Sequence, residues 1–234
     1  MKLLYGIQPT GRIHIGNYLG GLRYAIEQGA TVMVATYHAM TTQENPTFYP
    51  FADDVMKIGV TWSKVVEQSM DSLHLSWKIQ CVTPISDLKR MTQFKEKGEG
   101  NVGLFTYPCL MAADIILSGA DGVIVGEDQV QHMEFYRRTC KRLGIEKVAE
   151  TILTDTPRIM SIKDPTRKMS KSAGDEHCLY LFDHEENRRK IMKAPTTPEG
   201  IENLRKIADG LGVIFDSDQL KETKERIADA IESI

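Results

Sequence analysis

Short β-branched runs alternate with longer stretches of helical character along most of this chain. The runs at 2–7, 31–36, 64–67 and 123–125 are typical of buried strands. Helical patterns fall between or after them, at about 16–28, 50–58, 72–81, 86–97, 108–118 and 127–143. Because strands that alternate with helices pair in parallel, this order predicts an α/β fold, a Rossmann-like parallel sheet with helices on both faces.

The pattern changes near the C-terminus, where short polar helices replace the alternation. Residues 183–186 fit a capping box at the start of one helix, and Thr197 and Pro198 are typical of the start of a second. A last amphipathic helix is expected at about 218–234. The predicted division is a main domain over 1–195, with a helical insertion at about 69–118, and a small helical segment over 196–234.

Composition excludes several classes of function. The 234 residues carry 29 lysines and arginines against 32 aspartates and glutamates, a net charge of −3, so no strong overall field draws the chain to nucleic acid or a membrane. No apolar stretch is long enough to span a bilayer. The four cysteines form no C-x-x-C pair, and the six histidines form no H-E-x-x-H motif. We therefore expect a cytoplasmic chain with reduced cysteines, no bound metal and no membrane partner.

The turn after the first predicted strand carries the sequence GIQPTGRIHIGN at residues 6–17. Glycine lets a backbone approach a ligand closely, and the start of a helix offers free N–H groups and a positive dipole to phosphate. His14 and Asn17 add hydrogen-bonding groups three positions apart. Taken alone, such a turn is more typical of an ordinary connection between a strand and a helix.

A second motif, KMSKS at residues 168–172, changes that interpretation. Two lysines three positions apart on a serine-bearing loop can reach a polyphosphate from one side. Their charge stabilises the transition state of phosphoryl displacement most strongly. An isolated run of this kind would be a solvated loop, but its occurrence together with the upstream H-I-G-N is improbable by chance.

These two motifs resemble the two signatures of the class I aminoacyl-tRNA synthetases, whose Rossmann domain binds ATP between them. Further blocks resemble the bacterial tryptophanyl-tRNA synthetases: GIQPTG at 6–11, RMTQFKEK at 90–97, YPCLMAADI at 107–115 and GEDQVQH at 126–132. The blocks keep the family's order from residue 1 to about 195. The resemblance therefore implies a class I catalytic domain over 1–195.

Tyr107, Met111 and Asp114 lie at i, i+4 and i+7, one stripe of a helix expected to begin at Pro108. Asp114 lies in an apolar run, where an unpaired carboxylate is costly. A carboxylate only accepts hydrogen bonds and suits a ligand with one N–H on an aromatic body, although a buried aspartate capping a helix fits equally well. The resemblance implies that Asp114 accepts from the indole N–H of tryptophan, with Met111 nearby and Tyr107 and Gln129 on the ammonium group.

The resemblance also implies an ATP site, with Mg²⁺ as part of the ATP complex and no permanent cofactor. Its residues are Gln8, Pro9, Thr10, Gly16, Asn17, Gly126, Glu127, Asp128, Ile159, Lys168, Met169, Ser170, Lys171 and Ser172. The tryptophan carboxylate would attack the α-phosphorus of ATP, giving tryptophanyl-adenylate and pyrophosphate. Lys168, Lys171 and His14 are the implied catalytic residues, and the terminal ribose hydroxyl of tRNA would then attack the adenylate.

Several aromatic residues have plainer interpretations. His132 follows Asp128 by four positions and is interpreted as its structural partner. His38 follows a strand at its functional end, where the family also has a histidine, but the two residues before it differ from the family's Asp-Gln, so a ligand role stays open. Trp62 and Trp77 are expected to pack rather than bind.

The resemblance weakens at the C-terminus, where 196–234 stand in place of the longer helical domain with which relatives read the anticodon. Residues 199–234 carry nine acidic and five basic side chains, a poor surface for RNA. The leading hypothesis is a tryptophan–tRNA ligase acting on L-tryptophan, ATP and tRNA(Trp), expected to be a homodimer through the apolar helices around 72–118.

Two alternatives stay open. One is an adenylate-forming paralogue that does not charge tRNA, and the other is a tryptophan-binding regulatory protein. The intact motifs argue against the regulatory protein, because a binding module needs no group to stabilise leaving pyrophosphate.

Overall fold

The computed structural model describes residues 1–42, 46, 48–92, 100–154 and 158–234, except the side chains of residues 49 and 50. The chain forms two compact units. The first unit contains residues 1–11 and 25–154, and the second contains 12–24 and 155–234.

A five-stranded parallel sheet lies at the centre of the first unit. Its strands are β1 (Leu3–Ile7), β2 (Thr31–Val34), β3 (Val65–Glu67), β4 (Gly122–Val125) and β5 (Glu150–Leu153). Their order is β3-β2-β1-β4-β5, and Tyr5 of the central strand pairs with Val32 on one side and Ile124 on the other. The predicted α/β, Rossmann-like parallel sheet is confirmed.

The helices follow the predicted order with shifted ends. They are α1 (Ile15–Asn17), α2 (Arg23–Glu27), α3 (Thr36–Ala39), α4 (Phe48–Lys57), α5 (Met70–Val82), α6 (Ile85–Lys89), α7 (Val102–Ser118), α8 (Val130–Leu143), α9 (His184–Met192), α10 (Pro198–Leu211) and α11 (Leu220–Glu232). A π-helical turn, Tyr18–Leu22, joins α1 to α2. The second predicted strand was expected to reach residue 36, but β2 ends at Val34 and Thr36 begins α3.

Two helix boundaries differ further from the sequence prediction. The expected helix at 86–97 ends at Lys89 as α6, and residues 93–97 lie outside the described residues. Helix α7 begins at Val102 rather than at Pro108, because the side chain of Asn101 accepts a 2.8 Å hydrogen bond from the N–H of Leu104 and caps the helix. Pro108 therefore lies inside the helix.

Helix α7 brings its middle turns into the core of the first unit. It packs along α5 and contributes Cys109, Ala112 and Ala113 to a buried cluster with side chains of the sheet and of α8. These small side chains let the helix approach closely, so Asp114 on the same part of α7 is carried into the interior, where it is 4% exposed. The four cysteines of the chain are free thiols, and only Cys81 is exposed.

The second unit contains the three C-terminal helices. Helix α9 packs on α11, and the Nζ of Lys224 donates to the carbonyl of Ala194 at 2.9 Å. Thr197 caps α10 through the N–H of Gly200, with Pro198 at the first position, as predicted. The residues of this unit lie on both sides of the boundary expected between 195 and 196, which stays a prediction.

The capping box expected at 183–186 is not formed, although α9 does begin there. Within the described residues the side chain of Asp183 makes no capping hydrogen bond. It forms instead an ion pair with Arg12, whose guanidinium nitrogen lies 3.0 Å from the carboxylate. A charged partner on another segment therefore replaces the backbone N–H groups as the ligand of this carboxylate.

Among the described residues, no helix combines the length and the apolar character needed to cross a membrane.

Candidate active site

Asp114 is buried at the end of the sheet where the carboxyl termini of β2 and β3 lie. Its Oδ2 receives a hydrogen bond from Nε2 of Gln68 at 2.6 Å and lies 3.0 Å from Nε2 of His38. Its Oδ1 is also buried and has no hydrogen-bond partner among the residues that the structure describes. One oxygen of the carboxylate is therefore saturated, and the other can accept a donor from a ligand.

The first turn of α3 holds Gln68 in place. Gln68 follows β3, and its Oε1 accepts from the backbone N–H of Tyr37 at 2.8 Å and of His38 at 3.3 Å. N–H groups in the first turn of a helix have no partner inside the helix, so this amide oxygen satisfies them. Sequence reasoning missed Gln68, although a polar residue directly after a parallel strand is the signal that could have found it.

Tyr107, which the sequence predicted for the substrate ammonium group, lies beside two histidines. Its hydroxyl forms a hydrogen bond with Nε2 of His132, and the two ring centroids are 4.9 Å apart. Its ring also meets that of His38 edge-on at 5.6 Å. Burial raises the pKa of Tyr107, with the charge of Asp128 adding to the rise, so the hydroxyl keeps its proton.

His132 differs from its sequence interpretation. The group to which it is hydrogen-bonded is Tyr107, whereas Asp128 acts on it through charge. Burial lowers the pKa of His132 to about 4, although Asp128 opposes this shift, so the ring is neutral at pH 7. Its Nδ1 is buried and, within the described part of the chain, has no hydrogen-bond partner.

The other two residues predicted to bind tryptophan, Met111 and Gln129, are close in sequence to Tyr107, Asp114 and His132 but make different contacts. Met111 is partly buried and packs against the core of the first unit. Gln129 is partly exposed and donates from Nε2 to Oδ2 of Asp128 at 3.0 Å. The structure thus brings Asp114 and Tyr107 together with three residues outside the predicted set, His38, Gln68 and His132.

Two predicted ATP-binding segments follow neighbouring strands of the first unit. Gln8, Pro9 and Thr10 follow β1, and the turn from Gly126 to Gln129 follows β4, which pairs with β1 in parallel. Both segments therefore lie at the carboxyl edge of the sheet, where ligands bind in this fold class. A Cβ atom on Gly126 would lie 2.8 Å from Oδ1 of the exposed Asp128 side chain, so a larger residue there would displace that carboxylate.

In the second unit, His14 and Asn17 cap α1 reciprocally. Nδ1 of His14 accepts from the N–H of Asn17 at 3.3 Å, and Oδ1 of Asn17 accepts from the N–H of His14 at 3.2 Å. Burial, together with the charges of Lys171 and Lys168, lowers the pKa of His14 to about 3. His14 is thus neutral, and because Nδ1 accepts a hydrogen bond, its proton is on Nε2.

The KMSKS segment is fixed in the second unit by backbone pairing with residues 159–161. The N–H of Met169 donates to the carbonyl of Ile159 at 3.1 Å, and Met160 and Lys168 form an antiparallel bridge. Met169 and Ile159 are buried, which leaves the polar side chains of the segment on its other side. A Cβ on Gly16 would lie 3.6 Å from the sulfur of Met169, so the two signature motifs meet there.

The two lysines of this segment are in different environments. Lys168 is exposed, whereas Lys171 is partly buried. Desolvation lowers the pKa of Lys171 to about 8, although the thiol of Cys178 acts in the opposite direction. Because both lysines lower the pKa of His14, the catalytic residues predicted from the sequence act on one another electrostatically within this unit. In the described ranges, no three His, Cys, Asp or Glu side chains are placed to hold a metal ion.

Comparison with known proteins gives a consistent result. A family model described as tRNA synthetases class I (W and Y) matches residues 1–233. A tryptophan–tRNA ligase of Caldanaerobacter subterraneus is 42% identical, with 85% of this chain and 68% of that protein covered. A tryptophan–tRNA ligase of Wolinella succinogenes is 38% identical, with 86% and 69% covered.

A solved structure supports the same assignment. The tryptophanyl-tRNA synthetase of Mycoplasma pneumoniae matches with a TM-score of 0.80 at 27% identity, covering 98% of this chain and 84% of that one. The resemblance found from the H-I-G-N and KMSKS motifs is thereby confirmed. The chain belongs to the class I tRNA synthetases for tryptophan and tyrosine, and within them to the tryptophanyl-tRNA synthetase family.

Proposed function

We propose that this chain is a tryptophan–tRNA ligase. It activates L-tryptophan with ATP to tryptophanyl-adenylate and pyrophosphate, and it then transfers the amino acid to tRNA(Trp). The curated relatives with which it shares its family carry that activity in their names. The observation that carries the proposal for this chain is the buried Oδ1 of Asp114, an acceptor for which the described residues supply no donor.

The hydrogen-bonding state of Asp114 matches the indole ring. Indole has a single N–H at the edge of an aromatic body, and Asp114 offers one unsatisfied acceptor oxygen among the side chains of α7. Tyr107 and Gln129 are proposed to bind the ammonium group, and Met111 to line the pocket. A site built around a buried hydrogen bond rejects an analogue that lacks the donor by about 10⁴-fold or more, so phenylalanine is a poor substrate.

The adenylation step requires no nucleophile from the protein. An oxygen of the tryptophan carboxylate bonds to the α-phosphorus of ATP, and the bond from that phosphorus to the bridging oxygen of the β-phosphate breaks. Pyrophosphate leaves with the electron pair and with Mg²⁺, which enters as part of the ATP complex. We assign Lys168 and Lys171 to the charge that develops on the pyrophosphate, since cations matter most where charge appears in the transition state.

His14 would support the phosphates as a neutral donor. Its Nδ1 is occupied by the cap of α1, which leaves Nε2–H as the available group. Gly16 and Asn17 belong to the same helix start and are proposed to contact ATP with His14. In the first unit, Gln8, Pro9 and Thr10 and the turn from Gly126 to Asp128 are proposed to contact the nucleotide. Ile159, Met169, Ser170 and Ser172 are assigned to ATP with the two lysines.

We also propose that the chain acts as a homodimer. Helix α5 exposes Met70 at 71%, Leu73 at 38% and Trp77 at 66%, positions that share one helical stripe. Ile85 of α6, 63% exposed, extends the apolar surface. Because a two-fold interface pairs one patch with itself, a single self-complementary stripe suits a second copy of the chain. Trp77 is exposed in the single chain, so the packing expected for it is proposed to be against the second copy.

Tryptophan-dependent exchange of labelled pyrophosphate into ATP tests the activation step. We expect exchange with L-tryptophan and far slower exchange with phenylalanine or tyrosine. Equal exchange with phenylalanine would contradict the assignment of Asp114. Exchange with tryptophan but no charging of tRNA would favour the adenylate-forming alternative, which the acidic residues 199–234 support. Because tRNA is the proposed acceptor, we place the activity in the cytoplasm.

A further inference from the structure

The two oxygens of Asp114 have opposite hydrogen-bonding states, and the difference has a specific cause. Oδ2 has two donors, Nε2 of Gln68 at 2.6 Å and Nε2 of His38 at 3.0 Å. Oδ1 has none among the described residues. A freely rotating carboxylate would exchange its two oxygens, so the donors on Oδ2 determine which oxygen remains for a ligand.

Gln68 is fixed in one orientation by the backbone. The amide oxygen and nitrogen of glutamine are nearly the same in size, and their assignment depends on the hydrogen-bond network. Here the oxygen accepts from the backbone N–H groups of Tyr37 and His38. A flipped amide would oppose these two donors with its own NH₂ group, so the NH₂ must point at Asp114.

The position of Gln68 is set by the sheet as well. Its backbone N–H donates to the carbonyl of Val34 at the end of β2, which continues the pairing of β2 and β3. The side chain is buried, with the residue 4% exposed. The ends of β2 and β3 and the first turn of α3 therefore fix the position of Gln68. Gln68 in turn fixes the position of one carboxylate oxygen, Oδ2 of Asp114.

We infer that Gln68 is a positioning residue that gives the pocket its selectivity for an aromatic ring bearing an N–H. By occupying Oδ2 of Asp114, it leaves Oδ1 as the single acceptor for the substrate and holds it in a fixed direction. This inference rests on the proposed function, because Asp114 must be the residue that accepts from the substrate ring. His38 supports the same oxygen from helix α3.

A purely structural role would predict a different result. If Gln68 only connects α3, β3 and α7, its loss should weaken the use of every amino acid by the same factor. If it positions Oδ1, its loss should weaken only substrates that donate from the ring. A matched pair of substrates separates the two roles: L-tryptophan and 3-(3-benzothienyl)alanine, in which sulfur replaces the ring N–H.

The experiment compares kcat/KM in ATP–pyrophosphate exchange for these two amino acids. Gln68→Met removes both amide contacts at similar size. Gln68→Glu keeps an acceptor for the N–H groups of Tyr37 and His38 but replaces the donor to Asp114, so it remains informative if the first variant fails to fold. Gln80→Met is the control, since the side-chain amide of Gln80 on α5 donates to Ser76 in the same helix, at 3.2 Å, and not to Asp114.

We expect the ratio of tryptophan to benzothienylalanine kcat/KM to fall roughly tenfold or more in both Gln68 variants, as for a lost hydrogen bond to a charged group. The loss should be in KM for tryptophan, with kcat/KM for the analogue nearly unchanged. Gln80→Met should leave both values at the wild-type level. In an Asp114→Asn background, Gln68→Met should cause no further fall in the ratio.

An unchanged ratio, or an equal loss for both amino acids, would overturn the inference while leaving the proposed function in place, provided that the wild-type chain activates tryptophan. A wild-type chain that activates no tryptophan would contradict the proposed function and overturn the inference with it.

Discussion

Single residues near the proposed reaction centres are held in uncommon protonation states. Burial lowers the pKa of His14 to about 3 and that of His132 to about 4, so neither ring carries a charge at pH 7. Lys171, with a pKa lowered to about 8, is still mostly protonated there. Of the two signature motifs, KMSKS therefore supplies positive charge through its lysines, whereas H-I-G-N supplies a neutral N–H through His14. This division suits a site that must stabilise phosphate charge without a protein base.

Removal of the Asp114 carboxylate tests the pocket at this scale. Asp114→Ala should lower kcat/KM for tryptophan by about 2–4 kcal/mol, because a charged hydrogen bond to the indole is lost. Steady-state ATP–pyrophosphate exchange measures the change. Thermal unfolding of the variant is the control, and an unchanged kcat/KM in the folded variant would refute the role of Asp114.

The lowered pKa of Lys171 predicts a pH dependence. The cation is present below pH 8 and is lost as the pH rises through about 8, so kcat/KM for ATP should fall over that interval. Lys171→Arg keeps its charge at high pH and should move the fall upward, whereas Lys171→Ala should lower kcat at every pH. An identical profile in the wild type and the arginine variant would exclude Lys171 as the titrating group.

Some of these residues could be found from the sequence. Asp114 stands out because a carboxylate in an apolar run needs a partner, and the lysines because of their spacing. The position of Gln68 directly after β3 could mark it as a candidate, but its role could not be found from the sequence. Its role depends on α3, a four-residue helix that begins where the sequence predicts a strand, and on the pairing of β2 with β3.

At the scale of helices and strands, end groups decide where elements begin. The sequence predicts the order of strands and helices because their apolar periods differ. It misplaces the start of α7, since Pro108 is a favoured first residue but the Asn101 cap lies about two turns earlier. It misses β5, which lies at the edge of the sheet. Its sequence ETIL begins with an exposed glutamate and its side chains are only partly buried, so it lacks the apolar pattern of a buried strand.

The cap of α7 gives a prediction about stability. Asn101→Ala should reduce the free energy of unfolding by about 1 kcal/mol, because the N–H of Leu104 loses its partner. Asn101→Ser keeps an acceptor and should lose much less, although both variants lose the 2.9 Å bond to the carbonyl of Thr41. Urea unfolding measures both. Equal losses would show that the Thr41 contact, rather than the cap, stabilises this end of α7.

At the scale of the molecule, chemistry is divided between the two units. The residues proposed for the indole ring belong to the first unit, and both signature motifs' side chains, from His14 to Asn17 and from Lys168 to Ser172, belong to the second. The sequence predicts this grouping poorly, because 12–24 precede the second strand yet cluster with 155–234. Such grouping depends on contacts between distant segments, as between Arg12 and Asp183.

The apolar stripe on α5 predicts the oligomeric state. Trp77→Arg places a charge in the centre of the proposed interface and should convert a dimer to a monomer, as measured by sedimentation velocity. Lys78→Ala, an exposed change at the next position of α5, should leave the dimer intact. A wild-type chain that is monomeric at micromolar concentration would contradict the homodimer.

The most direct test of the central claim is aminoacylation of tRNA(Trp) with labelled tryptophan, run beside tryptophan-dependent ATP–pyrophosphate exchange on the same preparation. Both reactions are predicted, with charging that depends on ATP and is slowed by Lys171→Ala. Exchange without charging would contradict the transfer step and leave a tryptophan-activating enzyme. Absence of exchange with tryptophan, in a folded chain that binds ATP, would contradict the proposed function itself.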